Sequence, residues 1–311
     1  MTIAAHAKVN FTLEVLGVRP DGYHDLRSAV VPVSLADEVT LEPADEVTLV
    51  MDWCGGRGAT ALPWRSRGTR DPTGGTRDTT GETEDNLAVR AARLMQRVSG
   101  KNDGVTITLE KRIPVGGGLG GGSADAAAVM NGLNEMWGLG MPRKELATLG
   151  AGIGSDVPAL VLGGTVLMEG RGERVDWLDG CETRDARQDG FHLVLANPGV
   201  FCSTPEIFKA FDTPLPNRPE ILYNMRLAMQ AGDGAAVARA LQNDLETTAT
   251  RLHPEIEAAR QRLEAAGCLG ASMSGSGATV FGIARDAVEA GRIARELQAE
   301  GLWSVAVETV R

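Results

Sequence analysis

Between residues 3 and 15 the chain alternates, with Val9, Phe11, Leu13 and Val15 on one side and Lys8, Asn10, Thr12 and Glu14 on the other. That two-residue period predicts a half-buried β-strand. Arg19-Pro20-Asp21-Gly22 follows as a turn, because proline presets φ for its first corner and glycine accommodates the reversal. An apolar run over 26–35 predicts a partner strand, and residues 39–41 and 47–51 predict two further short strands. From 53 to 84 glycine, threonine, arginine and aspartate replace the apolar residues. Periodicity is lost there, which predicts a long flexible insertion.

Order returns over 86–98, where Leu87, Ala91, Leu94 and Met95 recur at helical spacing. A strand carrying Val105, Ile107 and Leu109 comes next, then Pro114, a glycine run, an alanine-rich helix over 123–137 and a short helix over 142–149 that opens on Pro142. The second half predicts strands over 191–196, 279–284 and 303–310 and helices over 205–211, 221–231, 234–245, 254–266 and 286–300. Pattern alone therefore gives a mixed α/β chain.

Composition narrows the possibilities. With 311 residues, 43% of them hydrophobic, the chain can bury a core large enough for one big domain or two medium ones. A formal net charge of −10 gives no overall attraction to nucleic acid or anionic lipid. Cys54, Cys181, Cys202 and Cys268 are widely spaced, and with only 4 histidines they predict reduced thiols and no resident metal. No apolar leader or span-length segment is visible, so a cytoplasmic protein with a small-molecule ligand is expected, without nucleic acid or membrane as partner. Nothing in the chain indicates an oligomeric state.

The candidate chemistry lies in Pro114-Val115-Gly116-Gly117-Gly118-Leu119-Gly120-Gly121-Gly122-Ser123, set between a strand and a helix. Glycines let several backbone N–H groups converge on one anion, and the helix N-terminus behind adds its positive end. A phosphate cradle is the expectation, against the alternative of a flexible linker. Gly116, Gly118 and Gly121 fit G-x-G-x-x-G, but no strand ending in an acidic residue follows at the distance a Rossmann unit needs. A Walker lysine and the protein-kinase signatures are likewise missing from the sequence.

The stretch 114–125 resembles the second signature of the GHMP kinases, whose glycine loop wraps the phosphates of ATP. Ala7-Lys8-Val9-Asn10-Phe11 with Arg19-Pro20-Asp21-Gly22-Tyr23-His24 resembles the amino-terminal signature of one branch, the diphosphocytidyl-methylerythritol kinases. Ser274-Gly275-Ser276-Gly277-Ala278 resembles the third GHMP signature, and 154–158 and 243–246 agree as well. The resemblance implies an α+β chain of two domains. Residues 1–163 would form a ribosomal-protein-S5-like ATP domain and 164–311 a ferredoxin-like domain. It also implies ATP with Mg²⁺ as cofactors, a cytidine diphosphate derivative as substrate, and phosphorylation of its 2-hydroxyl in isoprenoid precursor synthesis. Another GHMP kinase acting on homoserine, mevalonate or a sugar is the first alternative, and a silent nucleotide-binding protein the second.

Residue by residue, two readings stand side by side. Lys8 on a strand's polar face reads as a solvated lysine, and Asp156 before Val157-Pro158 as a helix N-cap; the resemblance makes them the catalytic pair. Tyr23 and His24 read as ordinary packing, and the resemblance turns them toward the cytidine, with Pro198 and Phe201 on the opposite wall. Asn10 is implied at the substrate. Asn86, by pattern an N-cap, is implied near the adenosine. Residues 114–123 and Ala124 are implied at the phosphates, where the family has a serine in place of Ala124. Ser274, Gly275, Ser276 and Gly277 read as a turn before a strand, or as support for the loop and the substrate diphosphate. Asp125 suits the helix dipole but repels ATP, so its role is open.

Overall fold

The computed structural model describes residues 1–54, 85–178, 190–211 and 218–310. From residue 55 on, the expected insertion lies outside the described residues, as does Cys181. Strand β1 (Thr2–Val18) runs antiparallel to the long β2 (His24–Ala44). There follow β3 (Val47–Trp53), α1 (Leu87–Ser99), β4 (Gly104–Lys111), α2 (Gly121–Met136), α3 (Arg143–Gly150), α4 (Val157–Leu162), β5 (Val166–Gly170) and β6 (Arg174–Trp177). The second half holds β7 (His192–Asn197), α5 (Thr204–Ala210), α6 (Pro219–Ala231), α7 (Gly234–Ala240), β8 (Gln242–Asn243) and α8 (Glu246–Leu252). Last come α9 (Pro254–Ala265), β9 (Gly270–Met273), β10 (Val280–Ala284), α10 (Ala287–Ala299) and β11 (Trp303–Glu308).

Among the described residues the strands form two sheets. The first has seven strands in the order β3-β4-β2-β1-β8, with β5 added to β2 and β6 to β5. The runs over 26–35 and 39–41, expected as two strands, are one, because β1 lines a single edge of β2 throughout. On the other edge the partner changes from β5, at 26–30, to β4, at 38–44. The hairpin β5–β6 lies beyond residue 163, so the first sheet runs past the expected domain boundary. The second sheet is antiparallel in the order β11-β7-β10-β9. With α9 leading into β9 and α10 crossing from β10 to β11, this is the ferredoxin-like arrangement.

The half-buried strand expected from alternation is covered on both faces: residues 7–15 of β1 are buried without a break. Its apolar side meets the second sheet, where the Phe11 ring stacks on Phe281 with centroids 5.8 Å apart and meets Phe191 edge-on at 6.1 Å. On its other side the pairing of β1 with β2 slips between His6 and Lys8. In an uninterrupted strand Ile3 and Lys8 would point to opposite faces. The slip turns both toward α2, since a methyl at Gly132 would touch Ile3 and one at Gly120, the cap of α2, would touch Lys8.

Helix ends follow local chemistry. Asn86 caps α1 by accepting the Ala88 N–H, and Gly100 closes that helix in the left-handed region. The helix expected over 234–245 stops at Ala240, because Gln242 and Asn243 pair in parallel with Thr12 and Leu13 of β1. Strands β5, β6 and β9 and helix α8 are additions to the sequence-based expectation. Among the described residues no helix is long and apolar enough to cross a membrane, and Cys54, Cys202 and Cys268 are free thiols.

Because the fully buried Phe11 ring joins the two sheets, Phe11→Ala is expected to destabilise the protein by about 3–5 kcal/mol in urea unfolding. A cost below about 1 kcal/mol would mean that the cavity collapses and the ring is no such link.

Candidate active site

The glycine loop leaves β4 at Lys111 and enters α2 at Gly121. Two of its glycines are required by their surroundings. Gly118 has φ +75°, and a methyl there would stand 2.2 Å from the Ser274 carbonyl oxygen. Gly120 has φ +69°, and its methyl would press on the Lys8 side chain at 3.1 Å and approach an Asp156 oxygen at 3.5 Å. Only a residue without Cβ fits either position. The loop is thus drawn tight against β1 and against the 274–277 segment, with the start of α2 behind it.

Lys8 is held at both ends. Its backbone N–H donates to the Leu119 carbonyl at 3.0 Å, and its Nζ donates to Asn10 Oδ1 at 2.8 Å and stands 3.5 Å from Asp156 Oδ2. Asn10 Nδ2 donates to Ser28 Oγ at 2.8 Å, and that hydroxyl donates to the Thr12 carbonyl at 2.5 Å. The chain of contacts fixes where the ammonium points. Lys8 is 2% exposed, so it is not the solvated strand lysine that its position in an alternating strand suggests. Asp156 does occupy the N-cap position of α4, yet its side chain makes no capping hydrogen bond. One carboxylate edge is left beside a buried cation at the mouth of the glycine loop.

The 274–277 segment locks the loop from the other side. Ser274 Oγ donates to the Gly118 carbonyl at 3.0 Å, and the Thr279 N–H donates to the Gly117 carbonyl at 3.1 Å. Asn243 Nδ2 in turn donates to the carbonyls of Met273 and Gly275, and Glu246 accepts from the Met273 N–H and from Ser272 Oγ. Burial raises the Glu246 carboxyl above its ordinary value. Ser276 Oγ bonds Thr204 Oγ1 at 2.7 Å, joining the segment to α5, and a methyl on Gly277 would run into Met273. Asn243 and Glu246 thus act as supports, a role that nothing in the local sequence pattern announces.

The remaining expected residues are placed as follows. Asn86 spends its side-chain oxygen on capping α1; the neighbouring Leu87 reaches Gly122 and Gly154, which brings the start of α1 to the loop. Ser123 Oγ faces Gly154. Ala124 is not brought to the cradle: its N–H donates to the Gly120 carbonyl and its methyl is buried in the core. Asn10 touches Lys8 and Ser28 and is buried, which makes it a support of the lysine. Tyr23 is 57% exposed with the Arg171 guanidinium over its ring at 4.8 Å. His24 packs on Phe208, with ring centroids 5.1 Å apart. Phe201 is 58% exposed and lies over Gly116, next to Pro198 and Gly199, whose N–H is held by Asn197. Arg171, on the β5–β6 turn, joins the site without a signal in the sequence.

The chain that carries this arrangement has known relatives. Residues 86–164 match the family model for the GHMP kinases N terminal domain, and 225–301 the one for GHMP kinases C terminal. The chain is 41% identical over 300 residues to the 4-diphosphocytidyl-2-C-methyl-D-erythritol kinase of Symbiobacterium thermophilum, spanning 96% of this chain and 95% of the relative. It belongs to that kinase family. The protein of the same name from Mycolicibacterium smegmatis is 38% identical, over 97% of this chain and 87% of its own. A crystal structure of 4-(cytidine 5'-diphospho)-2C-methyl-D-erythritol kinase superposes with a TM-score of 0.73 at 33% identity, covering 99% of both chains. A homoserine kinase from Cytophaga hutchinsonii shares the fold at 19% identity and a TM-score of 0.67.

If the loop is an ATP cradle with no room at Gly118, Gly118→Ala in this kinase should lower kcat/KM for ATP on the order of 100-fold. The measurement is initial velocity against ATP at saturating acceptor, with a thermal melt to show that the variant is folded. A loss under about threefold would mean that the loop tolerates displacement and does not grip the nucleotide.

Proposed function

We propose that this protein transfers the γ-phosphoryl group of ATP to the 2-hydroxyl of 4-diphosphocytidyl-2-C-methyl-D-erythritol, a step of the non-mevalonate isoprenoid route. The observation that carries the proposal is the Lys8–Asp156 pair at the mouth of the glycine loop, in a chain of that kinase family. The cradle fits a polyphosphate, because backbone N–H groups and a helix N-terminus converge where side chains are sterically excluded. ATP supplies the phosphoryl group, and Mg²⁺ bound to its phosphates offsets the charge of the transfer. Among the described residues there is no cluster of three or more side chains able to hold a metal by themselves. Mg²⁺ would be held mostly by the phosphate oxygens of ATP and by water, as a hard cation that keeps several of its waters.

The residues divide the work. Asp156 orients the acceptor hydroxyl and takes its proton as the oxygen joins phosphorus, since its carboxylate is not committed to capping α4. A loose transition state asks for little deprotonation before the bond forms, so a carboxylate suffices as base. Lys8, held by Asn10, keeps Asp156 in place and offsets negative charge at the transferring group. Tyr23 supplies a face for the cytosine, His24 a ring nitrogen for its edge, and Phe201 the wall nearer the phosphates. Arg171 holds the other face of Tyr23. We divide the chain after β6, with the nucleotide in the first part and the ferredoxin-like part closing the cleft. Free thiols and dependence on ATP favour a cytoplasmic location.

In this scheme Asp156→Asn lowers kcat by about 10²–10⁴-fold at saturating ATP. Unchanged turnover would remove Asp156 from the chemistry. Tyr23→Ala should raise the acceptor KM, since stacking is worth roughly 1–3 kcal/mol per base, and leave the KM for ATP within about twofold. Equal rises in both constants would take Tyr23 out of the cytidine site.

A further inference from the structure

Beneath the glycine loop lies a group of charges that the transfer itself does not use. Lys111 ends β4, Asp37 lies on β2 and Asp125 near the start of α2, and all three are buried. The Lys111 ammonium is in contact with Asp37 Oδ2 and stands 2.5 Å from Asp125 Oδ2. Asp37 Oδ1 also accepts the backbone N–H groups of Arg112 and Ile113, at 2.5 and 2.8 Å, where the loop begins. A methyl at Gly121, where the loop ends, would stand 3.7 Å from Asp37 Oδ2. One ammonium and one carboxylate therefore tie the entry stem of the loop to its exit.

The group holds one cation against two carboxylates, directly under a site for anions. The carboxylates are not equivalent. Asp37 accepts from Lys111 and from two backbone N–H groups, whereas Asp125 accepts from Lys111 alone and its Oδ1 is buried with no partner. Asp125, with one carboxylate oxygen buried and unpartnered, is the member that takes a proton. We infer that Lys111, Asp37 and Asp125 are positioning residues that fix the two stems of the glycine loop, and that nucleotide binding is accompanied by proton uptake at Asp125. This rests on the proposal that the loop holds the phosphates of ATP.

Burial, opposed by Lys111 and reinforced by Asp37, raises the Asp125 carboxyl to about 7. A polyphosphate above it disfavours the ionised form further, so ATP binds best when Asp125 is neutral, and its KM rises as pH climbs past about 7. Other charges near this end of α2 are committed elsewhere. Lys8 and Asp156 pair with each other beside Gly120, Arg90 of α1 donates to the Gly152 carbonyl, and Arg112 pairs with Glu110 and Glu38.

The test compares wild type, Asp125→Asn and Gly118→Ala across about pH 6 to 8.5, reading KM for ATP and kcat separately. Calorimetry of ATP binding without acceptor, in buffers of different ionisation heat, counts the protons taken up. Titration of ATP itself is common to all three proteins and cancels in the comparison. Wild type should show a KM for ATP that rises up to about tenfold per pH unit above neutrality, with net proton uptake. Asp125→Asn should flatten that rise and abolish the extra uptake, with the lost pH dependence in KM and not in kcat. A variant that keeps the wild-type profile and proton count overturns the inference while Gly118→Ala still weakens ATP. Should Gly118→Ala leave ATP binding unaffected, the cradle itself is misassigned and the inference falls with it. Lys111→Met, checked for folding by circular dichroism, should raise KM for ATP at every pH; an unaltered KM in the folded variant also overturns the positioning role.

Discussion

At Gly118 there is space for a hydrogen atom and nothing larger, and the rest of the site depends on that closeness. The loop passes between β1 and the 274–277 segment. It does so by giving its carbonyls to the walls: Leu119 to the Lys8 N–H, Gly118 to Ser274 Oγ, and Gly117 to the Thr279 N–H. Backbone acceptors are thus satisfied on the protein side, and in the proposed function the donors serve the phosphates of ATP. Widening the passage would lose these contacts, and a bulkier residue would force it to widen.

The same closeness decides the electrostatics. A lysine on the polar face of a strand is ordinarily solvated. Here the loop covers it, and a buried ammonium must have partners or be lost. Asn10 and Asp156 serve as those partners, and the Asn10–Ser28–Thr12 relay fixes the asparagine in turn. The proposed catalytic geometry is thus a by-product of satisfying one buried charge. Support from the second sheet is equally indirect. Asn243 and Glu246 hold the 274–277 segment, and Phe11 keeps β1 against β10 and β7.

Much of this was legible in the chain and some was not, for identifiable reasons. The glycine loop, the helices beginning at Asn86 and Asp286, and strands β7, β10 and β11 of the ferredoxin-like half carry strong local signals of periodicity and capping. Burial of Lys8 was hidden, because the residues that cover it lie over a hundred positions along the chain. Residues 234–245 look helical throughout, yet Gln242 and Asn243 pair with β1 while the Asn243 side chain bonds Met273 and Gly275, contacts that no local pattern encodes. The β5–β6 hairpin is short and glycine-bounded, so its place beside β2 and Tyr23 emerges only in three dimensions. Asp37 and Lys111 sit on strands as unremarkable charges until the fold brings them under the loop. Ala124 shows the converse, since a position singled out by resemblance turns its methyl into the core.

The central claim is that the cradle and the Lys8–Asp156 pair serve an acceptor carrying a cytidine diphosphate group. The most direct measurement is ADP release by the purified protein with ATP and Mg²⁺, with 4-diphosphocytidyl-2-C-methyl-D-erythritol, homoserine, mevalonate and galactose offered in parallel. Turnover with the cytidylated acceptor alone is the predicted result. Turnover with one of the others in its place, or silence with all four, would contradict the account.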